Sequence, residues 1–291
     1  MGVLNVTPDS FSDGGRYMQP AQALAAAEQM ASEGAAIIDI GGESTRPGAT
    51  PVDSEEELRR VLPVVERVAA RVPVIVSVDT SNPHLMRRAE ASGAQMINDV
   101  RAGRVPGALE ALAAGRMALC LMHMQGEPAS MQRDPRYRDV VAQVSEFLRA
   151  RVDAALAAGI APERLCIDPG FGFGKLLRHN LRLLRHLERI AALGPPVLVG
   201  LSRKSMAAAL VTDAPALAAD TAAAMASGTS RTPTHGPNER LAASLALATI
   251  AVLHGARIVR AHDVAATVDA VRVADAIVAE AASAHPDTEE A

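Results

Sequence analysis

Eight short apolar runs, each followed by a stretch with helical spacing, limit the folds open to this chain more than any other feature. The predicted strands are Val3–Asn5, Ala36–Ile40, Val74–Asp79, Gln95–Asp99, Ala118–His123, Leu165–Asp168, Val197–Leu201 and Ile258–Arg260. Strands that alternate with helices form parallel sheets, and eight regular repeats close on themselves. We therefore predict an α/β fold, a single (β/α)8 TIM barrel, and regard an open doubly wound sheet as the alternative.

Polar residues stand at the carboxyl end of every predicted strand. They are Asn5, Asp39 with Glu43, Asp79, Asn98 with Asp99, His123, Asp168, Ser202 with Arg203 and Lys204, and Arg260 with His262. In barrels of this kind the active site is built at the C-terminal ends of the strands. A purely structural barrel needs no convergent charges there, so the pattern predicts an enzyme with its active site at this mouth.

Residues 168–175, DPGFGFGK, follow the sixth predicted strand and alternate glycine with larger residues. The segment is neither a P-loop nor a dinucleotide fingerprint, because Pro169, Leu176 and Lys175 stand where those motifs require other residues. A glycine-rich loop with an acid at its base and rings above it suits a flat heterocycle. We interpret it as a ligand-binding loop.

The other strand ends supply amides, carboxylates and cations. Asp79, Asn98 and Asp168 can bond the NH and C=O edge of a heterocycle, whereas Arg46, Lys204, Arg260 and His262 can bind phosphate. The strand ends yield no Ser-His-Asp triad and no His/Cys metal cluster. Together they predict a phosphorylated heterocyclic substrate.

Composition excludes several other classes of function. The net charge of −4 gives no basic surface for nucleic acid or anionic lipid. Cys120 and Cys166 lie in apolar runs and are expected to be free, buried thiols. Since Met1 leads directly into the first strand and the longest apolar helix, 241–253, is too short for a bilayer, a cytoplasmic location is expected.

The barrel is expected to occupy residues 1–282 and to be followed by a C-terminal tail at 283–291. Two segments depart from a plain barrel. The loop 124–139 is long enough to cover part of the mouth, and residues 211–238, rich in Ala, Thr, Ser and Pro, form a predicted flexible insertion.

At these residues the chain resembles the dihydropteroate synthases of folate biosynthesis. The matching segments, in the family's order, are NVTPDSFSDGG at 5–15, DIGGESTRPGA at 39–49, SVDT at 77–80, INDV at 97–100, LMHMQG at 121–126, DPGFGFGK at 168–175, GLSRKS at 200–205 and RAHDV at 260–264. The match spans nearly the whole chain.

The resemblance implies condensation of 6-hydroxymethyl-7,8-dihydropterin pyrophosphate with p-aminobenzoate, with release of pyrophosphate. It implies pterin contacts at Asp79, Asn98, Asp168 and Lys204, of which Asp79, Asp168 and Lys204 are the expected catalytic residues. It implies pyrophosphate contacts at Thr45, Arg46, Arg260 and His262, and an aminobenzoate pocket of Arg46, Pro47, Phe173 and Ser205. It also implies Mg²⁺ held by Asn5, a homodimer, and inhibition by sulfonamides.

The residues suit this reaction. Pyrophosphate leaves readily once cations neutralise it, a carboxylate such as Asp79 can stabilise the methylene cation, and a neutral arylamine needs little base catalysis. Two alternatives stay open at this point. One is a catalytically silent pterin-binding paralogue, and the other is a pterin-dependent methyltransferase, which would need no aminobenzoate pocket.

Overall fold

The structure is a computed structural model that describes residues 1–6, 20–43, 52–128, 130–212 and 240–283. It contains one sheet of eight parallel strands, paired in chain order. The strands are β1 (Gly2–Asn5), β2 (Ile37–Gly41), β3 (Ile75–Asp79), β4 (Met96–Asp99), β5 (Ala118–Met122), β6 (Leu165–Asp168), β7 (Val197–Gly200) and β8 (Ala256–Arg260). Each overlaps the strand predicted from the sequence.

The first and last strands meet and close the sheet. Gly2 pairs in parallel with Ala261, directly after β8. The amide of Val3 donates to the carbonyl of Ala261 at 3.1 Å, and the amide of Ala261 donates to the carbonyl of Met1 at 2.9 Å. Closure confirms the predicted barrel and brings all eight carboxyl ends to one mouth.

Helices surround the sheet. They are α1 (Pro20–Ser32), α2 (Ser54–Arg71), α3 (Pro83–Ala89), α4 (Ala108–Ala113), α5 (Val140–Ala157), α6 (Leu177–Arg185), α7 (Leu187–Ala191), α8 (Ser205–Thr212), α9 (Leu241–Leu253) and α10 (Val264–Ser283). The residues before α3 determine where this helix begins. The side chain of Asn82 caps it by accepting the amide of His84 at 3.0 Å, and Pro83 suits its first turn.

Apolar side chains form two layers. The larger one lies between strands and helices and includes Ile38, Val78 and Leu148. A smaller cluster, formed by Met96, Cys120, Cys166 and Leu198, comes from the alternate strand positions and fills the barrel interior. Both cysteines are buried and free, as predicted.

Some predicted features fall outside the described residues. Val211 and Thr212 still belong to α8, and the rest of the predicted insertion at 211–238 is not described. Ser283 ends α10, so the barrel helix continues one residue into the predicted tail. Among the helices that the structure describes, none combines the length and apolarity that crossing a bilayer requires.

Candidate active site

A hydrogen-bond network centred on Asp39 lies inside the barrel below the mouth. Its carboxylate accepts from Ser77 Oγ at 2.7 Å, from Asn98 Nδ2 at 3.0 Å and from Arg260 Nε at 2.6 Å. Four strands (β2, β3, β4 and β8) contribute one side chain each, because alternate strand residues point inward. The fully buried Asp39 is therefore a support for the mouth rather than part of its rim.

Arg260 also pairs with Asp79, at 3.0 Å from Nη2 to Oδ2. Burial and the neighbouring Asp39 carboxylate raise the pKa of Asp79 to about 7, although Arg260 opposes the shift. Near neutral pH this carboxyl group can therefore gain or lose a proton. The Arg260 side chain is 21% exposed, so part of it faces the open mouth.

Asn98 presents an unused acceptor. Its Nδ2 is engaged by Asp39, and its side chain is buried with 4% exposure, yet Oδ1 has no hydrogen-bond partner. A buried acceptor without a partner costs free energy, on the order of 1–3 kcal/mol. The atom is therefore suited to an N–H donor supplied by a ligand.

Asp168 and Lys204 face each other from β6 and the loop after β7. Burial raises the pKa of Asp168, and the nearby Lys204 ammonium opposes this shift. Burial lowers the pKa of Lys204 to about 8, against the attraction of Asp168. The Lys204 amine donates to the carbonyl of Phe171 and lies 4.6 Å from the centre of the Phe173 ring. Asp168 Oδ1 accepts the amide of Gly170 at 2.7 Å, so one oxygen stabilises the loop that follows.

The loop 169–176 (called the sixth loop below) depends on its glycines. Gly170, Gly172 and Gly174 have φ of 67°, 80° and 61°, a region that disfavours other residues. Gly170 also lies against β5, since a Cβ there would stand 1.9 Å from the carbonyl oxygen of His123. The alternating glycines thus allow a tightly curved backbone at the mouth.

A buried lysine holds the sixth loop from below. The Lys175 amine, with 3% of the residue exposed, contacts the carbonyls of Gly170 at 2.9 Å and Phe173 at 3.0 Å and Nδ1 of His123 at 2.9 Å. Burial lowers the pKa of Lys175 well below its usual value. Burial and the nearby Lys175 also lower the pKa of His123 to about 2, so this imidazole is neutral. The side chains of Lys175 and His123 contact each other, and Lys175 also bonds the backbone of the sixth loop, so this pair positions the loop.

The loop 124–139 packs against the sixth loop, in keeping with its predicted place near the mouth. Tyr137 donates to the carbonyl of Gly174 at 2.9 Å, and Gln132 donates to the carbonyl of Gly172. Phe173 packs against a small apolar cluster that includes Met124 and Met131. One wall of the mouth is therefore made by two loops together.

The remaining predicted site residues lie around this mouth. Asn5 ends β1, and a Cβ at Gly41 would stand 3.6 Å from its Oδ1 and 3.8 Å from Oδ2 of Asp79. His262 bonds Ser202 through its backbone amide and ring, each at 3.2 Å. Ser205 is the exposed first residue of α8. Thr45, Arg46 and Pro47 lie outside the described residues.

The sequence placed Asp39 and His123 among the polar strand ends of the mouth without a specific role, and it gave Lys175 none. The position of Asp39 between Ile38 and Ile40 could have indicated a supporting network, since an acid in a buried strand needs hydrogen-bond partners. Another signal is that lysine occurs only at 175 and 204, whereas the other cationic residues are arginine or histidine. Lysine changes its pKa readily on burial and arginine does not, so two lysines beside one glycine-rich loop could have indicated paired roles.

Comparison with known proteins identifies the family. The family model described as pterin binding enzyme matches residues 1–262. The dihydropteroate synthase of Escherichia coli is 49% identical over 276 residues, covering 95% of this chain and 90% of the relative. That of Mycobacterium leprae is 45% identical over 278 residues, with coverages of 95% and 92%.

Comparison with solved structures gives the same family. The Yersinia pestis dihydropteroate synthase, solved with a sulfonamide drug complex, has 46% identity and a TM-score of 0.84, covering 96% of this chain and 93% of that one. The Xanthomonas albilineans enzyme with 4-aminobenzoic acid has 48% identity and a TM-score of 0.83, with coverages of 98% and 93%. The same enzyme with 7,8-dihydropteroate has 46% identity and a TM-score of 0.80, again with coverages of 98% and 93%.

The chain belongs to the pterin-binding enzyme family and, within it, to the dihydropteroate synthases, a class of transferase. Its activity is the condensation of a dihydropterin pyrophosphate with p-aminobenzoate, as the sequence predicts. This assignment favours the synthase over the methyltransferase alternative.

Proposed function

We propose that the side chains gathered at this mouth carry out the synthase reaction, with Asp79, Asp168 and Lys204 as the catalytic residues. The observation that supports this most is their common location. Two carboxyl groups with raised pKa, one amine with lowered pKa and one unpartnered amide oxygen project into the same mouth from β3, β6, the loop after β7 and β4, respectively. Such perturbed groups cluster at catalytic sites.

In this proposal the pterin ring lies across Asp79, Asn98, Asp168 and Lys204. A pterin edge offers adjacent N–H donors and a carbonyl oxygen. The Asp168 carboxylate and the free Oδ1 of Asn98 can accept the donors, and the Lys204 ammonium can donate to the carbonyl. Because these groups are already held by the barrel, little side-chain ordering is needed on binding.

The pyrophosphate is proposed to lie toward Arg260 and His262, with Thr45 and Arg46 as further contacts. Arg260 is held by two carboxylates through Nε and Nη2, which fixes its orientation at the edge of the mouth. A fixed cation stabilises the negative charge that develops on the leaving oxygen. His262 lies directly after β8, two residues beyond Arg260.

Asn5 is the residue proposed to hold Mg²⁺. Its amide oxygen is a hard donor, and the absent side chain of Gly41 leaves space between it and Asp79. In this proposal the other ligands of the ion are waters and phosphate oxygens, which Mg²⁺ commonly keeps when one or two protein oxygens bind it. When bound, Mg²⁺ neutralises charge on the pyrophosphate.

The reaction breaks the bond between the pterin methylene and the pyrophosphate oxygen, and the arylamine nitrogen then bonds to that carbon and loses a proton. Positive charge develops on the methylene and spreads into the ring. An ionised Asp79 in a low-dielectric surrounding can stabilise it. The arylamine is neutral at pH 7, so orientation by Phe173, Ser205, Arg46 and Pro47 is the main requirement.

We also propose a homodimer formed through the outer faces of α9 and α10. These two helices pack together, and they carry four large apolar side chains that are at least 40% exposed. These are Ile250, Leu253, Val273 and Ile277. An apolar patch of this kind is typical of an interface.

The cytoplasmic location stays a prediction.

A turnover assay tests the proposed function. The protein is incubated with the dihydropterin pyrophosphate, p-aminobenzoate and Mg²⁺, and dihydropteroate and pyrophosphate should appear in equal amounts. A sulfonamide should raise the apparent KM for p-aminobenzoate without changing kcat, since it presents the same arylamine. Absence of both products from the folded protein would identify a catalytically silent paralogue.

The pH dependence of kcat/KM should be bell-shaped. Asp79 must be ionised, so activity should fall below its pKa of about 7, and Lys204 must be protonated, so activity should fall above its pKa of about 8. Asp79→Asn should remove the acid limb. Because the chain has only two lysines, ¹³C-labelled lysine gives two signals, and the Lys204 signal should titrate near pH 8. A kcat/KM that does not change with pH around these two pKa values would contradict the roles of both Asp79 and Lys204.

A further inference from the structure

A second cavity lies outside the mouth, between the loop before α5 and the first turns of α6. Its volume is about 180 Å³. The lining residues are Tyr137, Arg138, Val140, Arg178, His179 and Arg182. We call this cavity the arginine cleft. It carries three guanidinium groups and no carboxylate, and it contains none of the residues assigned to the active site.

Within the described part of the chain, the positive charge of the arginine cleft is offset only partly, by the attraction between Asp139 and Arg182. Arg138, Arg178 and Arg182 form no ion pair there, although all three are exposed. The adjacent carboxylate, Asp139, does not line the cleft, and its Oδ1 caps α5 by accepting the amides of Val141 and Ala142. Three like charges around a small cavity repel one another, and a bound anion would relieve that repulsion.

The ring of His179 offers one further donor to the cleft. Nδ1 of His179 accepts the amide of Leu176 at 3.2 Å, so the neutral ring carries its proton on Nε2. Burial and the nearby arginines lower the pKa of His179 to about 4, so the ring is neutral near pH 7. The hydroxyl of Tyr137 donates to the carbonyl of Gly174. The centre of the Tyr137 ring lies 4.9 Å from that of His179, and these two contacts hold the tyrosine side of the cleft in place.

We propose that the arginine cleft is a second anion site that binds a single phosphate group. Guanidinium forks match the paired oxygens of phosphate, and three arginines line this one cavity. The volume of about 180 Å³ is below the roughly 300 Å³ at which pockets begin to hold drug-sized ligands. A free phosphate or the end of a phosphomonoester fits this size, and a nucleotide does not.

The test uses the full-length protein labelled with ¹³C at the histidine ring carbons. The His179 signal, assigned with His179→Gln, is followed at pH 7.5 while inorganic phosphate is added, and sodium chloride of equal ionic strength is the reference. Phosphate should move the signal in a saturable manner and chloride should not. Methyl phosphate is titrated in parallel. Similar affinity for the two assigns the site to phosphomonoesters as well, and binding of inorganic phosphate alone assigns it to the free anion.

Variants locate the anion. Arg178→Gln with Arg182→Gln should weaken binding about 100-fold, because each charge-assisted contact contributes about tenfold. Arg185→Gln, an exposed arginine at the end of the same helix but outside the cleft, should keep wild-type affinity. Arg138→Gln, on the loop rather than the helix, gives an independent loss of about tenfold if the double variant does not fold.

The proposal fails if phosphate moves the His179 signal no more than chloride does. It also fails if Arg185→Gln weakens binding as much as the cleft variants, because that would indicate general attraction to a basic helix. None of these measurements requires turnover, so they are independent of the proposed catalytic roles.

Discussion

Replacing Gly170 with alanine should destabilise the protein and remove nearly all of its activity. The new Cβ would lie 1.9 Å from the carbonyl oxygen of His123, and the residue would have to keep a φ of 67°. The obstacle is the backbone of the residue that directly follows β5, and a backbone carbonyl cannot rotate away as a side chain can. We expect a loss of more than about 3 kcal/mol in the free energy of unfolding, the range reserved for severe backbone or core disruption. Urea denaturation and the turnover assay measure the two effects.

Gly159→Ala is the matched control for this substitution. Gly159 also has a positive φ, of 95°, but no atom lies within 4 Å of the position of its Cβ. It should therefore show only the conformational cost of about 1–2 kcal/mol, with full activity. Equal stability of the two variants would contradict the close approach of Gly170 to the His123 carbonyl.

Replacing Lys204 with methionine should reduce kcat/KM by about 30- to 1000-fold, corresponding to about 2–4 kcal/mol for one lost electrostatic contact in a buried site. Methionine keeps the length and most of the volume of the side chain, so the loss can be attributed to the ammonium group. The free energy of unfolding should change little or rise, since burial disfavours a charged Lys204.

Lys204→Arg separates charge from shape in the same position. Arginine stays charged at high pH, so any activity that this variant retains should lose its basic limb near pH 8. Wild-type kcat/KM in the methionine variant would remove Lys204 from the catalytic residues.

The barrel and the positions of its polar residues were predictable because parallel strands place their carboxyl ends at one mouth. Asp79, Asn98 and Asp168 each stand at a strand end, and a short apolar run with a terminal polar residue identifies them. The Mg²⁺ ligand and the pocket residues came from family resemblance and stay predictions.

The partnerships below the mouth could not be predicted. Arg260 bonds Asp39 across 221 positions of sequence, and this contact exists only once β8 has closed against β1. The direction of the Lys175 side chain could not be predicted either, because a lysine after a glycine-rich run can point to solvent or beneath the loop. The carbonyls of Gly170 and Phe173 determine that Lys175 turns inward, and these become acceptors only in the curved backbone. The pKa shifts depend on this burial and so were equally hidden.

The central claim, that the pterin is held by the polar residues at the mouth, is tested most directly by calorimetry with Asp168→Asn. This substitution can keep the acceptor that Gly170 uses, but it presents an amide N–H₂ where the pterin presents N–H. We predict that 6-hydroxymethyl-7,8-dihydropterin binds the variant at least about 100-fold more weakly than the wild type, because a charge-assisted hydrogen bond is lost and two N–H donors are left facing each other. The free energy of unfolding of the variant, measured alongside, should stay close to that of the wild type. Equal pterin affinity in the two folded proteins would contradict the claim.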